Sequence, residues 1–320
     1  MAKIAVIGAG TMGHALALVF AIGGHRVRLT DSFAPTLARA PALMEAARKT
    51  LNAAGETDLT AEGLAAAVTC HADLAEAVAD AEWIIEAIIE QPEAKRVLFE
   101  ALDAVAPMEA VIASNTSYLD PFPLIPARRQ GRAMILHWYT PPYLVDLVDV
   151  VSGPACDPAL IEAACKMIAA MGKQPVVLRK FLPGYIANRI QSAISAEVFH
   201  LLEEEVATPE EIDAAIVHGL ALRLPILGHL AKADFTGLEI ARDAMRNQMV
   251  PPAPRRDHST PLDALMAEGK TGVRAGGGWY DWSAHTPEEW FKDRDARLLA
   301  LKRALREIGT LAGPRTGETA

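Results

Sequence analysis

"KIAVIGAGTMGHALALVF", residues 3–20, reads as a short apolar strand, a glycine-rich turn and the start of a helix. Gly8, Gly10 and Gly13 hold the spacing G-x-G-x-x-G, with Thr11 and Met12 between the last two. Gly8 allows the tight turn, Gly10 lets a diphosphate approach the backbone, and Gly13 lets helix and strand pack closely. The helix N-terminus offers unpaired N–H groups and partial positive charge to that diphosphate. Three glycines alone decide little, and here the context carries the reading: strand before, helix after, and Asp31 closing the next strand-like run, 18 residues beyond Gly13. A carboxylate there bonds both ribose hydroxyls of NAD and repels a 2′-phosphate. Ser32, Phe33 and Ala34 supply no arginine to hold one, so NAD is favoured over NADP.

Working outward, seven more β-branched runs follow: "HRVRLTD", "AVTCHA", "EWIIEAI", "AVIASNT", "AMILHWY", "LVDVVSG" and "QPVVLRK". Alanine-rich helical stretches separate most of them. Strands alternating with helices imply βαβ units and a mainly parallel sheet. The pattern changes near "RKFLPGYIANRI", where Pro183 suits a first helical turn. From there "YIANRIQSAISAEVFHLLEEEV" reads as one long helix, with the run Glu203–Glu205 as a solvated face. Thr208-Pro209-Glu210-Glu211 and Thr286-Pro287-Glu288-Glu289 are capping-box helix starts, the second opening a helix that ends near Gly309. The expected fold class is α/β: a Rossmann-like doubly wound sheet over residues 1–182, then an all-α domain over 183–310. A disordered tail is expected over 311–320. A cleft between two such domains is the default ligand site.

Composition narrows the function classes. Half of the 320 residues are hydrophobic, enough for a full core, yet no apolar run approaches the length of a membrane span. The N-terminus lacks the order of a signal peptide. Cys70, Cys156 and Cys165 form no CxxC, so neither a disulfide framework nor a metal site is expected, and a reducing cytoplasm is. A formal net charge of −9 argues against nucleic acid or an anionic membrane as partner.

Chemistry enters at "HWYTPPYLVDLVDV", residues 137–150. His137 ends one strand, and "AVIASNTS" ends another with Asn115, Thr116 and Ser117; in an open α/β sheet, ligands bind beyond such carboxyl ends. Side chains alternate along a strand, so Asp149 shares a face with Val145 and Leu147, and Asp146 takes the other. Only one of these aspartates can readily point where His137 points.

At this point the chain resembles the L-3-hydroxyacyl-CoA dehydrogenase family over nearly its whole length. "GAGTMG", "EAIIEQPEAKRVLFEAL", "SNTSYL", "HWYTPPYLVDLVDVV", "PGYIANRI" and "KTGVRAGGGWYDW" occur in the family's order and spacing. The resemblance implies a C-terminal domain like that of 6-phosphogluconate dehydrogenase and a two-fold dimer made through it. It pairs the catalytic histidine with a carboxylate twelve residues on, which is Asp149 here, an Asp where Glu is usual. It gives His137 the role of base, and Ser117 and Asn188 the substrate oxygen. Ala87, Glu90, Lys95 and, with Asn115, Thr140 (an Asn in the family) fall near the cofactor; Lys95 has the alternative of a surface helix lysine.

Within the family, "PPYLVDLVDVV", "NRIQSAISAE" and "GLALRLPILG" resemble the L-gulonate 3-dehydrogenase and lambda-crystallin branch, which implies a free 3-hydroxy acid rather than a CoA thioester. Arg223 could pair with its carboxylate. The arm of residues 34–68 offers only Arg39, Arg48 and Lys49 against four acidic residues, Glu45, Glu56, Asp58 and Glu62, a weak site for CoA phosphates. Two alternatives stand: oxidation of an aldehyde on a small aromatic carboxylate, and a non-catalytic crystallin-like role, against which the complete polar set speaks.

Overall fold

The computed structural model describes residues 1–311; the tail "PRTGETA" lies outside the described residues. The chain divides into two compact units, Met1–Ala187 and Asn188–Ala320.

The first unit is built on an eight-stranded sheet, order β3-β2-β1-β4-β5-β6-β7-β8. Its strands are β1 (Lys3–Ile7), β2 (Arg26–Thr30), β3 (Val68–His71), β4 (Trp83–Glu86), β5 (Val111–Ser114), β6 (Ala133–Trp138), β7 (Leu147–Ser152) and β8 (Gln174–Leu178). All eight β-branched runs form strands. The first six have the doubly wound order 3-2-1-4-5-6, whose chain reversal beside β1 makes the crevice at the carboxyl ends. Only β6 and β7 pair antiparallel, because four residues after β6 the chain has turned at Pro141 and Pro142 and come back along it. The helices of this unit are α1 (Gly13–Ile22), α2 (Ala34–Ala53), α3 (Ala61–Ala67), α4 (Leu74–Val78), α5 (Pro92–Val105) and α6 (Pro158–Ala170). β4, β5 and β6 are buried along their whole length, as strands covered on both faces must be.

The division falls five residues beyond the expected boundary at 182. Pro183 does not open a helix. Tyr185 is held at φ 50, a backbone state that interrupts any helix, with its hydroxyl donating to the Thr116 carbonyl (2.5 Å). The Gly184 N–H donates to the Ser117 carbonyl (3.0 Å). These bonds fasten the linker to the sheet unit, so the long helix, α7 (Ala187–Glu203), starts after them rather than at Tyr185.

The second unit continues with α8 (Pro209–Ala215), α9 (Leu224–Thr236), α10 (Leu238–Arg246), α11 (Thr260–Ala267) and α12 (Pro287–Ile308). Both capping boxes form, on Thr208/Glu211 and on Thr286/Glu289, and α12 stops at Gly309. A π-helical stretch, Ile216–Ala221, extends α8, and Gly228 at φ 65 kinks α9. Among the described residues this unit has no strand, only isolated bridges around Gly277. No single described helix is long and apolar enough to cross a membrane; the bent pair Pro209–Ala221 and Leu224–Thr236 passes that test only jointly.

Candidate active site

The glycine turn between β1 and α1 is shaped as a cradle. Gly8 sits at φ 97, and a Cβ there would meet the Ala87 carbonyl oxygen at 2.6 Å. A Cβ on Gly13 would lie 1.6 Å from the Gly8 oxygen, so the helix approaches too closely for any side chain. Gly10 differs: a Cβ there would meet nothing within 4 Å. The chain leaves open the space that a diphosphate needs, in front of the amides at the start of α1. Asp31, just past β2, accepts from the Ala9 N–H (2.7 Å) and the Phe33 N–H (2.8 Å), which fixes its carboxylate against the same turn. Glycines, helix start and carboxylate together fit a dinucleotide. Thr140 and Met12 meet, hydroxyl to sulfur, so the loop after β6 reaches the glycine turn.

His137 and Asp149 are directly opposed in the β6–β7 ladder. Opposed residues of an antiparallel pair share a face, and the His137 Nδ1–H donates to Asp149 Oδ2 at 3.1 Å. Asp146 lies before β7 and pairs instead with Lys173 (3.1 Å). The imidazole is 3 % exposed and Asp149 0 %. With Nδ1 committed to the carboxylate, Nε2 is the free base position, and Ser117 Oγ lies 3.2 Å from it. Asn115 Oδ1 accepts from the Trp138 N–H (2.8 Å), tying the end of β5 to the end of β6.

Glu90 organises the Ser117 loop. One of its oxygens, Oε1, accepts from the Thr116 hydroxyl (2.6 Å) and from the N–H groups of Ser117 (2.8 Å), Tyr118 (2.9 Å) and Leu119 (3.2 Å). Burial pushes the Glu90 carboxyl upward. Thr116, the Tyr118 and Ser117 amides and Lys95 outweigh it and hold the group at about 2. Lys95 is not a surface lysine: at 1 % exposure it donates to both oxygens of Glu86 (2.7 and 2.8 Å) and lies 3.2 Å from Glu90 Oε2. Glu86 is fully buried and also accepts from the Ser114 hydroxyl.

Asn188 and Arg223 belong to the second unit. Asn188 is the second residue of α7 and so lies in its first turn, because the helix begins two residues later than the sequence pattern suggests. Arg223, just before α9, folds back on the preceding π-helical stretch, its Nε and Nη2 donating to the Gly219 carbonyl (3.2 and 2.8 Å). Sequence reasoning passed over Glu86, Tyr139 and Tyr185. Glu86 had a signal, a carboxylate closing an otherwise apolar strand with a lysine nine residues on; Tyr139 also had one, sharing the parity of His137.

Fold and cradle define an NAD-dependent oxidoreductase. The 3-hydroxyacyl-CoA dehydrogenase NAD-binding domain matches residues 3–181, and the C-terminal domain of the same family matches residues 184–282. L-carnitine dehydrogenase of Nocardiopsis dassonvillei is 34% identical over 315 residues, 95% of this chain and 92% of that protein. The lambda-crystallin homolog of Bos taurus is 33% identical over 230 residues, 71% of this chain and 72% of that protein. The crystal structure of 5-formyl-3-hydroxy-2-methylpyridine 4-carboxylic acid 5-dehydrogenase, an NAD-dependent dismutase, superposes with a TM-score of 0.86 at 26% identity, covering 96% of this chain and 99% of that one. The chain belongs to the 3-hydroxyacyl-CoA dehydrogenase family, whose dehydrogenases act on CH–OH groups with NAD as cofactor.

Proposed function

We propose that this protein oxidises the 3-hydroxyl of a free 3-hydroxy acid to the 3-oxo acid, with His137 as the base. Bound at the Gly8–Gly13 turn and Asp31, NAD supplies the acceptor for the hydride. The substrate hydroxyl sits against Ser117 Oγ and His137 Nε2, and its proton passes to Nε2. Asp149 holds the imidazole in the tautomer with Nδ1 protonated and stabilises the imidazolium that forms. Glu90, kept ionised by Lys95 and the amides it accepts from, holds the Ser117 loop in place. Asn188 and Arg223 carry their assignments, to the substrate oxygen and carboxylate, from the sequence. A homodimer formed through the helical unit and a cytoplasmic location belong to the same proposal. The first is supported by apolar side chains such as Leu230 at 81 % exposure, the second by the sparse cysteines.

One observation carries the preference for a free acid over a CoA thioester. Of the three cations in the arm of residues 34–68, Arg48 is already committed: its guanidinium donates twice to Glu45 (2.7 Å each) and once to the Leu59 carbonyl (2.9 Å). Lys49 lies 3.7 Å from the same Glu45. That leaves little positive charge for the phosphates of CoA. L-carnitine, named for one relative, is itself a free 3-hydroxy acid. A second reading is favoured by the 0.86 superposition: oxidation of an aldehyde on a small aromatic carboxylate, through its hydrate, with the same base. Steady-state kinetics with NAD separate these readings. The account expects free 3-hydroxy acids to give a kcat/KM at least about tenfold above L-3-hydroxybutyryl-CoA, and Arg223→Ala to raise their KM about tenfold, the worth of one charged contact. A thioester preferred by that margin, with Arg223→Ala silent, contradicts the free-acid reading; turnover confined to aromatic aldehydes selects the second.

A further inference from the structure

Tyr139 follows β6 by one residue and shares the face of His137. Its hydroxyl donates to Asp149 Oδ2 at 2.7 Å, the oxygen that also accepts from His137 Nδ1 at the longer distance of 3.1 Å. Its ring meets the imidazole edge-on, with 4.5 Å between centroids and planes at 73°. Asp149 is fully buried, and its Oδ1 has no hydrogen-bond partner among the described residues. Both of these donors therefore converge on one oxygen of a carboxylate shut away from water.

We infer that Tyr139 is a positioning residue for the His137–Asp149 pair. Its hydroxyl fixes which carboxylate oxygen faces the imidazole and takes up part of that oxygen's charge. The inference rests on the reading of His137 as the base. A base must release its proton after each turnover, and a buried carboxylate bonded to the imidazolium alone holds that proton too tightly. Sharing Oδ2 with a phenol weakens the grip while keeping the geometry.

The surroundings leave this task to Tyr139. On the other side of β7, β8 sets the apolar Val176 opposite Asp149. Tyr185 packs against the imidazole at 4.6 Å, but its hydroxyl is spent on the Thr116 carbonyl. Burial, then the charges of Glu90 and Asp149, then Tyr139 and Asp120, push the Tyr185 phenol upward, so it stays protonated. Glu90 is itself met by Lys95, and Ser117, at Nε2, is neutral.

The test is Tyr139→Phe, confirmed as folded by its melting curve, with two readouts. The first is the Nδ1–H proton resonance of His137 in 15N-imidazole-labelled protein without cofactor, assigned by its loss in His137→Gln. It moves downfield as the His137–Asp149 bond tightens. The second is the acid limb of kcat/KM, which moves to higher pH by about half a unit or more, because the better-stabilised imidazolium persists further up the scale. A purely structural role lowers kcat/KM at every pH and leaves the limb in place. Tyr185→Phe, which keeps its ring against His137, leaves the resonance where it was. Should Tyr139→Phe not fold, 3-fluorotyrosine at position 139, a stronger donor, moves the resonance upfield. An unmoved Nδ1–H resonance overturns the inference whatever the kinetics do. A moved resonance with an unmoved acid limb upholds the coupling and contradicts instead the role of His137 as base.

Discussion

The two units solve the problem of burial differently. In the sheet unit, even ionisable side chains go under: Glu86, Lys95, Arg129, His137 and Asp149 are all buried, and each is hydrogen-bonded. In the helical unit, only Ile212, Ser259, Asp295 and Leu299 are buried among the described residues. Leu222, Leu230, Phe235 and Met245 there are each more than 70 % exposed. A sheet covered on both faces closes its own core and can then enclose polar groups, provided they are paired. The helices of the second unit leave these apolar side chains uncovered, and such exposed surface normally marks association. The contrast supports the proposal that the chemistry belongs to the sheet unit and self-association to the helical one.

That contrast can be broken at its strongest point. Lys95→Met removes the cation that faces Glu86 and Glu90 and leaves a buried carboxylate uncompensated. Breaking a buried pair in this way costs about 3–5 kcal/mol. Urea unfolding of the sheet unit's transition should show that loss; a change below about 1 kcal/mol would mean that the polar interior is far wetter than its burial indicates. The helical unit should respond in the opposite sense. Leu230→Lys, at a site 81 % exposed, should alter unfolding by no more than about 0.5 kcal/mol, as surface changes do. It should nevertheless weaken the dimer in sedimentation velocity. A parent protein that sediments as a monomer at micromolar concentration removes the association half of the comparison.

Much of the sheet unit was legible in the sequence because its signals are local. Each strand is a β-branched run, and the glycine turn is dictated by backbone clashes at Gly8 and Gly13. The His137–Asp149 contact was legible in part: parity separated the two aspartates, the family resemblance chose Asp149, and the opposed register of β6 and β7 makes it a contact. What stayed hidden depends on partners supplied by distant chain. Lys95 looked like a cofactor or surface lysine, since the sequence shows Glu86 closing a strand but not that α5 folds back to bury the lysine against it. Tyr185 continued a helical pattern, and the bonds that fasten Gly184 and Tyr185 to the Ser117 and Thr116 carbonyls explain why the helix begins later. In the helical unit the capping boxes were legible at Thr208 and Thr286, whereas the π-helical stretch after Ala215 and the kink at Gly228 were not.

The central claim is that His137, oriented by Asp149, removes the substrate proton. It is tested most directly by single-turnover rates of His137→Gln, Asp149→Asn and Asp146→Asn, each saturated with NAD and with the best substrate from the kinetic panel. A positioned base is worth about 10²–10⁴ in rate, so His137→Gln should fall within that range while NAD affinity holds. Asp149→Asn should lose about 10²–10⁴ by leaving the imidazole badly oriented, and Asp146→Asn, whose carboxylate pairs with Lys173 rather than with His137, should stay within about twofold. A His137→Gln protein that retains its rate, or an Asp146→Asn change more damaging than Asp149→Asn, would contradict the account.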